Sequence, residues 1–119
     1  MVIKNYKDLA VWQKGRILVK LVYQLTKHFP KEEIYGLTSQ LRRSVVSVPS
    51  NIAEGHSRSG TKDFIQFISI GSLAEVETQI ILAEDLEYVA SAHTESLYKN
   101  IQELQRMLHA LRSSLKDKL

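Results

Sequence analysis

Cysteine is absent from the 119 residues. That excludes disulfides, thiolate metal sites and a cysteine nucleophile, and it suits a reducing compartment. Proline occurs twice and glycine five times. These are few turn-formers for a meander of short strands, and no period-two alternation appears. The expected class is all-α. Apolar residues make up 44%, enough for one modest core, so a single domain over 1–119 is expected. They never form a run of the roughly 20 residues that span a bilayer. The start, MVIKNYKDLAVW, has no apolar secretory segment. No membrane association and a cytoplasmic location are therefore expected.

What is present is helical period. In GLTSQLRRSVVSVPSNIAEGHSR, residues 36–58, Leu37, Leu41, Val45, Val48 and Ile52 recur at steps of three and four. Beside them runs a polar stripe of Gln40, Arg43, Ser47, Asn51, Glu54 and Arg58. It lacks the Lys/Glu mixture of an ordinary solvated face. Ser, Asn and Val give this helix modest intrinsic propensity, so packing must hold it. Pro49 lies inside, where it cannot donate and crowds the carbonyl of Val45. A kink is expected there, or a break with a new helix starting at Pro49.

Three further helices are expected. The first spans about Asp8 to His28, with Asp8 as its N-cap. Its apolar face is Val11, Gly15, Leu18, Val22, Leu25 and Phe29, widened by Ile17 and Leu21. Trp12, Val19 and Tyr23 add an edge, giving a stripe wide enough for either a partner subunit or a broad core. Phe29-Pro30 ends it. PKEEIYG then connects, with Tyr35 packed under the turn or offered to a ligand. The third helix runs from a Thr61 cap to about Val89, with Phe64, Ile68, Gly71, Glu75, Thr78, Leu82 and Val89 on one stripe. Gly71 points to close approach by another helix. Glu75 on an apolar side needs a partner, and Arg42 and Arg43 are the candidates for a structural ion pair. The fourth helix follows a Thr94 cap, with Leu97, Ile101, Leu104, Leu108, Leu111 and Leu115 as its seam. Four helices with short links give an antiparallel up-down-up-down bundle with a kinked second helix.

Charge is uneven. Lys4, Lys7, Lys14, Arg16, Lys20 and Lys27 stand against Asp8 in residues 1–30. Lys62 stands against Asp63, Glu75, Glu77, Glu84, Asp85 and Glu87 in residues 61–90. This is either complementary packing of helices or subunits, or a basic surface for a polyanion.

The chain resembles a known family. YGLTSQLRRSVVSVPSNIAEGHSR, followed by DFIQFISIGSLAEVETQ and preceded by KDLAVWQKGRILVKLVYQLTKHFP, is similar to the four-helix-bundle proteins encoded in intervening sequences of bacterial 23S ribosomal RNA genes. Trp12, Pro30, Tyr35, Gly36, Arg42, Arg43, Pro49, Asn51, Glu54, Gly55, Gly71, Ser72, Glu75 and Glu77 carry the likeness. Gly15, His56 and Gly60 depart from it mildly. The resemblance implies the bundle and a ring-like homo-oligomer, a pentamer. The accessory proteins of diversity-generating retroelements are similar in fold and are linked to a reverse transcriptase and nucleic acid.

Catalytic motifs are missing. None of His28, His56, His93 and His109 has Glu three residues before it, so the di-metal bundle pattern fails. There is no H-E-x-x-H, phosphate loop or dinucleotide fingerprint. No arginine precedes a histidine at the spacing of the helical RNases. No metal, cofactor or catalytic residue is expected. The expected role is RNA or DNA binding by a basic surface of Lys7, Lys14, Arg16, Lys20 and Arg58. Such contact is backbone-led, because no RNA-recognition motif or aromatic platform is evident. The HSRSGT loop adds backbone N–H groups that suit a phosphate. The alternative is a scaffold that docks a partner enzyme through the polar stripe of the second helix.

Overall fold

Each helix covers its own apolar stripe only by packing on two neighbours. A computed structural model describes residues 5–58, 60–68 and 70–119. The helices are α1 (Ala10–Thr26), α2 (Leu37–Ser57), α3 (Thr61–Phe67), α4 (Ile70–Asp85) and α5 (Ser91–Lys116). Segments α3 and α4 together form the third arm of a four-arm bundle. Among the described residues α1 packs on α2 and α5, and α4 packs on α2 and α5, while the α1 and α4 backbones make no close approach.

Side-chain pairs give the directions. Early α1 meets late α2 where Gly15 faces Pro49. Late α1 meets early α2 where Arg42 Nε donates to Thr26 Oγ1 at 2.9 Å. Late α4 meets early α5 through the Tyr98 hydroxyl and Glu84. Burial, and then that bond, push the Tyr98 phenol up. The turn just past α1 meets early α5 where His28 and His93 stack 4.8 Å apart.

The core holds the expected stripes of the first, second and last helices. Val11, Leu18, Val22 and Leu25 of α1 are buried, as are Leu41, Val45, Val48 and Ile52 of α2. In α5, Leu97, Ile101, Leu104, Leu108 and Leu115 are buried and Leu111 is half-buried.

Several local expectations are corrected. Asp8 does not cap α1. It closes a 3₁₀ turn, Tyr6–Asp8, capped by Asn5, and Leu9 precedes the helix. Pro49 does not split α2, which runs unbroken from Leu37 to Ser57. Tyr35 does not pack under its turn but is 94% exposed. Thr94 lies inside α5 and is buried, donating to the Ser91 carbonyl, and the helix begins after Ala90. Gly60, not Thr61, precedes α3, with φ of +151° that a side chain would strain.

The third arm differs most. The backbone is extended at Ile68, which ends α3. The sequence Ile68-Ser69-Ile70-Gly71-Ser72 has weak helix propensity. Meanwhile Phe64 and Phe67 are held against Gly55 of α2. The break resets the register, so α4 buries Leu73, Val76, Gln79, Ile80 and Ala83. Gly71 faces open space instead of another helix. Ile81, Leu82 and Glu75 face solvent.

The α2 start is built by Glu33. Its Oε1 accepts from the Leu37 N–H at 3.0 Å, and its Oε2 accepts from the Tyr88 hydroxyl at 2.6 Å. The tyrosine bond first, and the Leu37 N–H second, hold the Glu33 carboxyl below its ordinary range. A side chain on Gly36 would collide with that carboxylate.

Candidate nucleic-acid interface

The helical period sorts the cations of α1. Leu18 and Val22 face the core, so Arg16 and Lys20 fall on the opposite, solvent side, and Lys27 continues the line just past the helix. All three are exposed. Lys14 lies to one side, half-buried, with Nζ 2.9 Å from Glu103 Oε2 of α5. Lys7 is exposed in the 3₁₀ turn, where its carbonyl accepts from Gln13 Nε2. Arg58 closes α2, 3.0 Å from Glu54 Oε1, with its guanidinium 4.7 Å over the Phe67 ring. Lys4 of the basic set lies outside the described residues.

The five expected contact residues thus divide. Arg16 and Lys20 share a face and meet no carboxylate among the described residues. Lys14 and Arg58 already hold one. His56, expected in the polar loop, lies instead in the last turn of α2, with its ring edge-on to Phe64 at 5.6 Å.

Beside the exposed cations lies a groove between α1 and α2. Its two depressions share Val46. One is lined by Tyr6, Trp12, Arg16, Val19 and Pro49, the other by Tyr23, Ile34, Arg42 and Arg43. Arg16 lies 5.5 Å over Trp12, and Arg42 lies 4.7 Å over Tyr23. Sequence reasoning noticed the wide Trp12–Val19–Tyr23 edge but not that α2 completes it. The signal was the arginine at i+4 from Trp12 and the exposed Val46 among the polar residues of α2.

The expected Arg–Glu pair does not form among the described residues. Arg42 is taken by Thr26 and the Tyr23 ring. Glu75 accepts instead from the Ser44 hydroxyl. Arg43 lines the same α2–α4 cleft as Glu75 without closing to ion-pair distance. The reset register of α4 turns Glu75 to the bundle edge, where a hydroxyl suffices.

The model of the 23S rRNA-intervening sequence protein family matches residues 7–110. The chain belongs to that family. The match takes in the groove apart from Tyr6, the α1 cations and most of α5. No curated protein matches the chain.

Proposed function

We propose that this family member is a non-enzymatic homo-oligomer that binds structured RNA or DNA through the solvent face of α1. The observation that carries the reading is the position of Arg16 and Lys20. They stand exposed, without a carboxylate partner among the described residues, on a helix whose backbone makes no close approach to acidic α4. Packing within one copy therefore leaves this positive field intact. Phosphate contact is the usual use of such a field. Assembly is supported by the outward side of α4, where Gly71, Ala74, Thr78, Ile81, Leu82 and Asp85 are all exposed. An exposed aliphatic face set apart from the α1 cations suits a head-to-tail contact that leaves those cations free. Such contacts close into rings when the rotation permits. The resemblance adds a pentamer to this reading, and a ring would multiply weak phosphate contacts.

The second reading is a scaffold that docks a protein partner. The α1–α2 groove favours it, because Tyr, Trp and Arg with an exposed apolar floor are the residue types that dominate protein interfaces. One titration separates the two. Duplex RNA is added to the protein at rising salt, with mass followed by light scattering. Binding that falls steeply with salt, and is lost in Arg16→Glu/Lys20→Glu, supports the nucleic-acid reading. An oligomer that ignores RNA at low salt overturns it and leaves the protein partner.

A further inference from the structure

The groove between α1 and α2 brings together residues that neither helix assembles alone. Trp12 and Tyr23 stand in it from α1, and Tyr23 is 39% exposed. Arg16 lines it beside Trp12, and Arg42 and Arg43 line it beside Tyr23. Val46 joins its two depressions, of about 370 and 400 Å³, each within the size range of small-molecule sites. No carboxylate lines either depression among the described residues. The groove is therefore aromatic and cationic without an acid to neutralise it.

The rings and cations are arranged in pairs. The Arg16 guanidinium lies 5.5 Å from the Trp12 ring centre, and that of Arg42 lies 4.7 Å from the Tyr23 ring centre. Arg42 is tethered there, because its Nε also donates to Thr26 Oγ1 at 2.9 Å. Trp12 and Tyr23 are eleven residues apart on α1, about three turns, so they share a side of the helix ~16 Å apart along its axis. At the stacked rise of ~3.4 Å per nucleotide, about five steps of one strand cross that distance, and fewer do when the strand is extended.

We propose that this groove holds an unpaired, single-stranded segment of RNA or DNA, with one base at Trp12 and another at Tyr23. The inference rests on the nucleic-acid reading and deepens it by naming the part of the ligand that is held. A positive groove that follows the backbone, with aromatic rings on which bases stack, is how single strands are bound without sequence preference. A guanidinium plane gives a base a second flat surface. A duplex keeps its base faces stacked inside and offers the groove only phosphates. Structured RNA supplies unpaired segments in its loops, bulges and ends. A protein partner would use the same aromatic and arginine types, but three arginines with no carboxylate among them favour a polyanion. Arg16 and Lys20 on the solvent face of α1 then meet phosphates beside the strand that the groove holds.

The test uses the full chain with an octauridylate strand and a blunt RNA duplex, at low and moderate salt. Trp12 is the one tryptophan of the chain, so its fluorescence reports directly on a base stacked at the groove. The single strand is expected to quench it. Tyr23→Ala removes an exposed ring and is expected to weaken single-strand binding about tenfold. It is expected to leave duplex affinity and the salt slope unchanged, because the ring meets no phosphate. Tyr23→Phe keeps the ring and is expected to bind as the wild type does. Single-strand binding that leaves Trp12 unquenched, or that survives Tyr23→Ala, overturns the proposal. Equal weakening of strand and duplex by Tyr23→Ala overturns it too, as does a fall in particle mass by light scattering, which makes the groove a contact between copies. Salt-sensitive duplex binding with no response to the single strand overturns the groove alone and leaves phosphate contact by α1. Failure of both ligands to bind overturns the nucleic-acid reading with it and leaves the groove to a protein partner.

Discussion

Gly15 of α1 lies against Pro49 of α2, and a Cβ built on Gly15 would sit 3.4 Å from the proline Cβ. The one glycine in α1 thus stands beside the one proline in α2, where the two backbones approach. That spacing is ordinary contact for a methyl group and too small for anything larger. Gly15→Ala is expected to keep the fold and to gain up to ~1 kcal/mol from helix propensity. Gly15→Leu is expected to lose about 1–3 kcal/mol by overpacking. Thermal melts of the two variants, one rising and one falling, check the contact.

Gly55 behaves oppositely. A Cβ there would lie 2.5 Å from the Phe67 Cβ and 3.1 Å from the Phe64 ring. The two aromatics of α3 leave no room, and neither contact is with the free end of a flexible chain. Gly55→Ala is expected to cost about 1–3 kcal/mol despite its better propensity. Urea unfolding measures it, and a variant as stable as the wild type would show that α3 is not docked on α2.

Glu33 gives the fold an acid sensitivity of known sign. Its folded carboxyl is held low by Tyr88 and then by the Leu37 N–H. A depressed carboxylate contributes stability above its unfolded pKa, ~4.3, and that contribution fades as pH falls through the lower folded value. Tyr88→Phe is expected to move the Glu33 titration back up toward the ordinary value. It is also expected to reduce the stability gained between strongly acidic pH and pH 6. A carboxyl-carbon titration by NMR reads the first, and melts across pH read the second.

How much of this was legible in the sequence depends on the element. The α5 seam could be read directly, because leucines at heptad spacing over an unbroken helix fix one face. The buried residues of α1 and α2 followed for the same reason. The third arm could not be read this way. A continuous helix through residues 61–89 puts Glu75 and Leu82 on the inner stripe, and the extended backbone at Ile68 removes that premise. Once the register is reset, Gln79 is buried and Glu75 sits at the edge, so the inner ion pair with Arg42 or Arg43 loses its reason. The Trp12–Tyr23 groove was half legible, since its α2 wall depends on which residues face α1. The pairing of Lys14 with Glu103 joins residues 89 apart, and no spacing rule reaches that far.

The outward face of α4 yields a prediction about assembly. Ile81 and Leu82 are 46% and 44% exposed, and neither supports the core of one copy. Ile81→Glu/Leu82→Glu is expected to leave the melting temperature of the isolated bundle nearly unchanged and to lower the mass of the particle to that of a single chain. Light scattering at several concentrations decides it. Unchanged oligomer mass would place the subunit contact elsewhere.

The central claim is that the solvent face of α1 meets nucleic-acid phosphates. The most direct test is the salt dependence of duplex RNA binding, compared between wild type and Arg16→Glu/Lys20→Glu, with Lys14→Gln as the internal comparison. The account predicts a linear fall of log affinity with log salt. It predicts a slope shallower by about one for each lost phosphate contact in the α1 double variant. It predicts a smaller change for Lys14→Gln, because Glu103 already holds that ammonium. A double variant that binds with the wild-type affinity and slope would contradict the account.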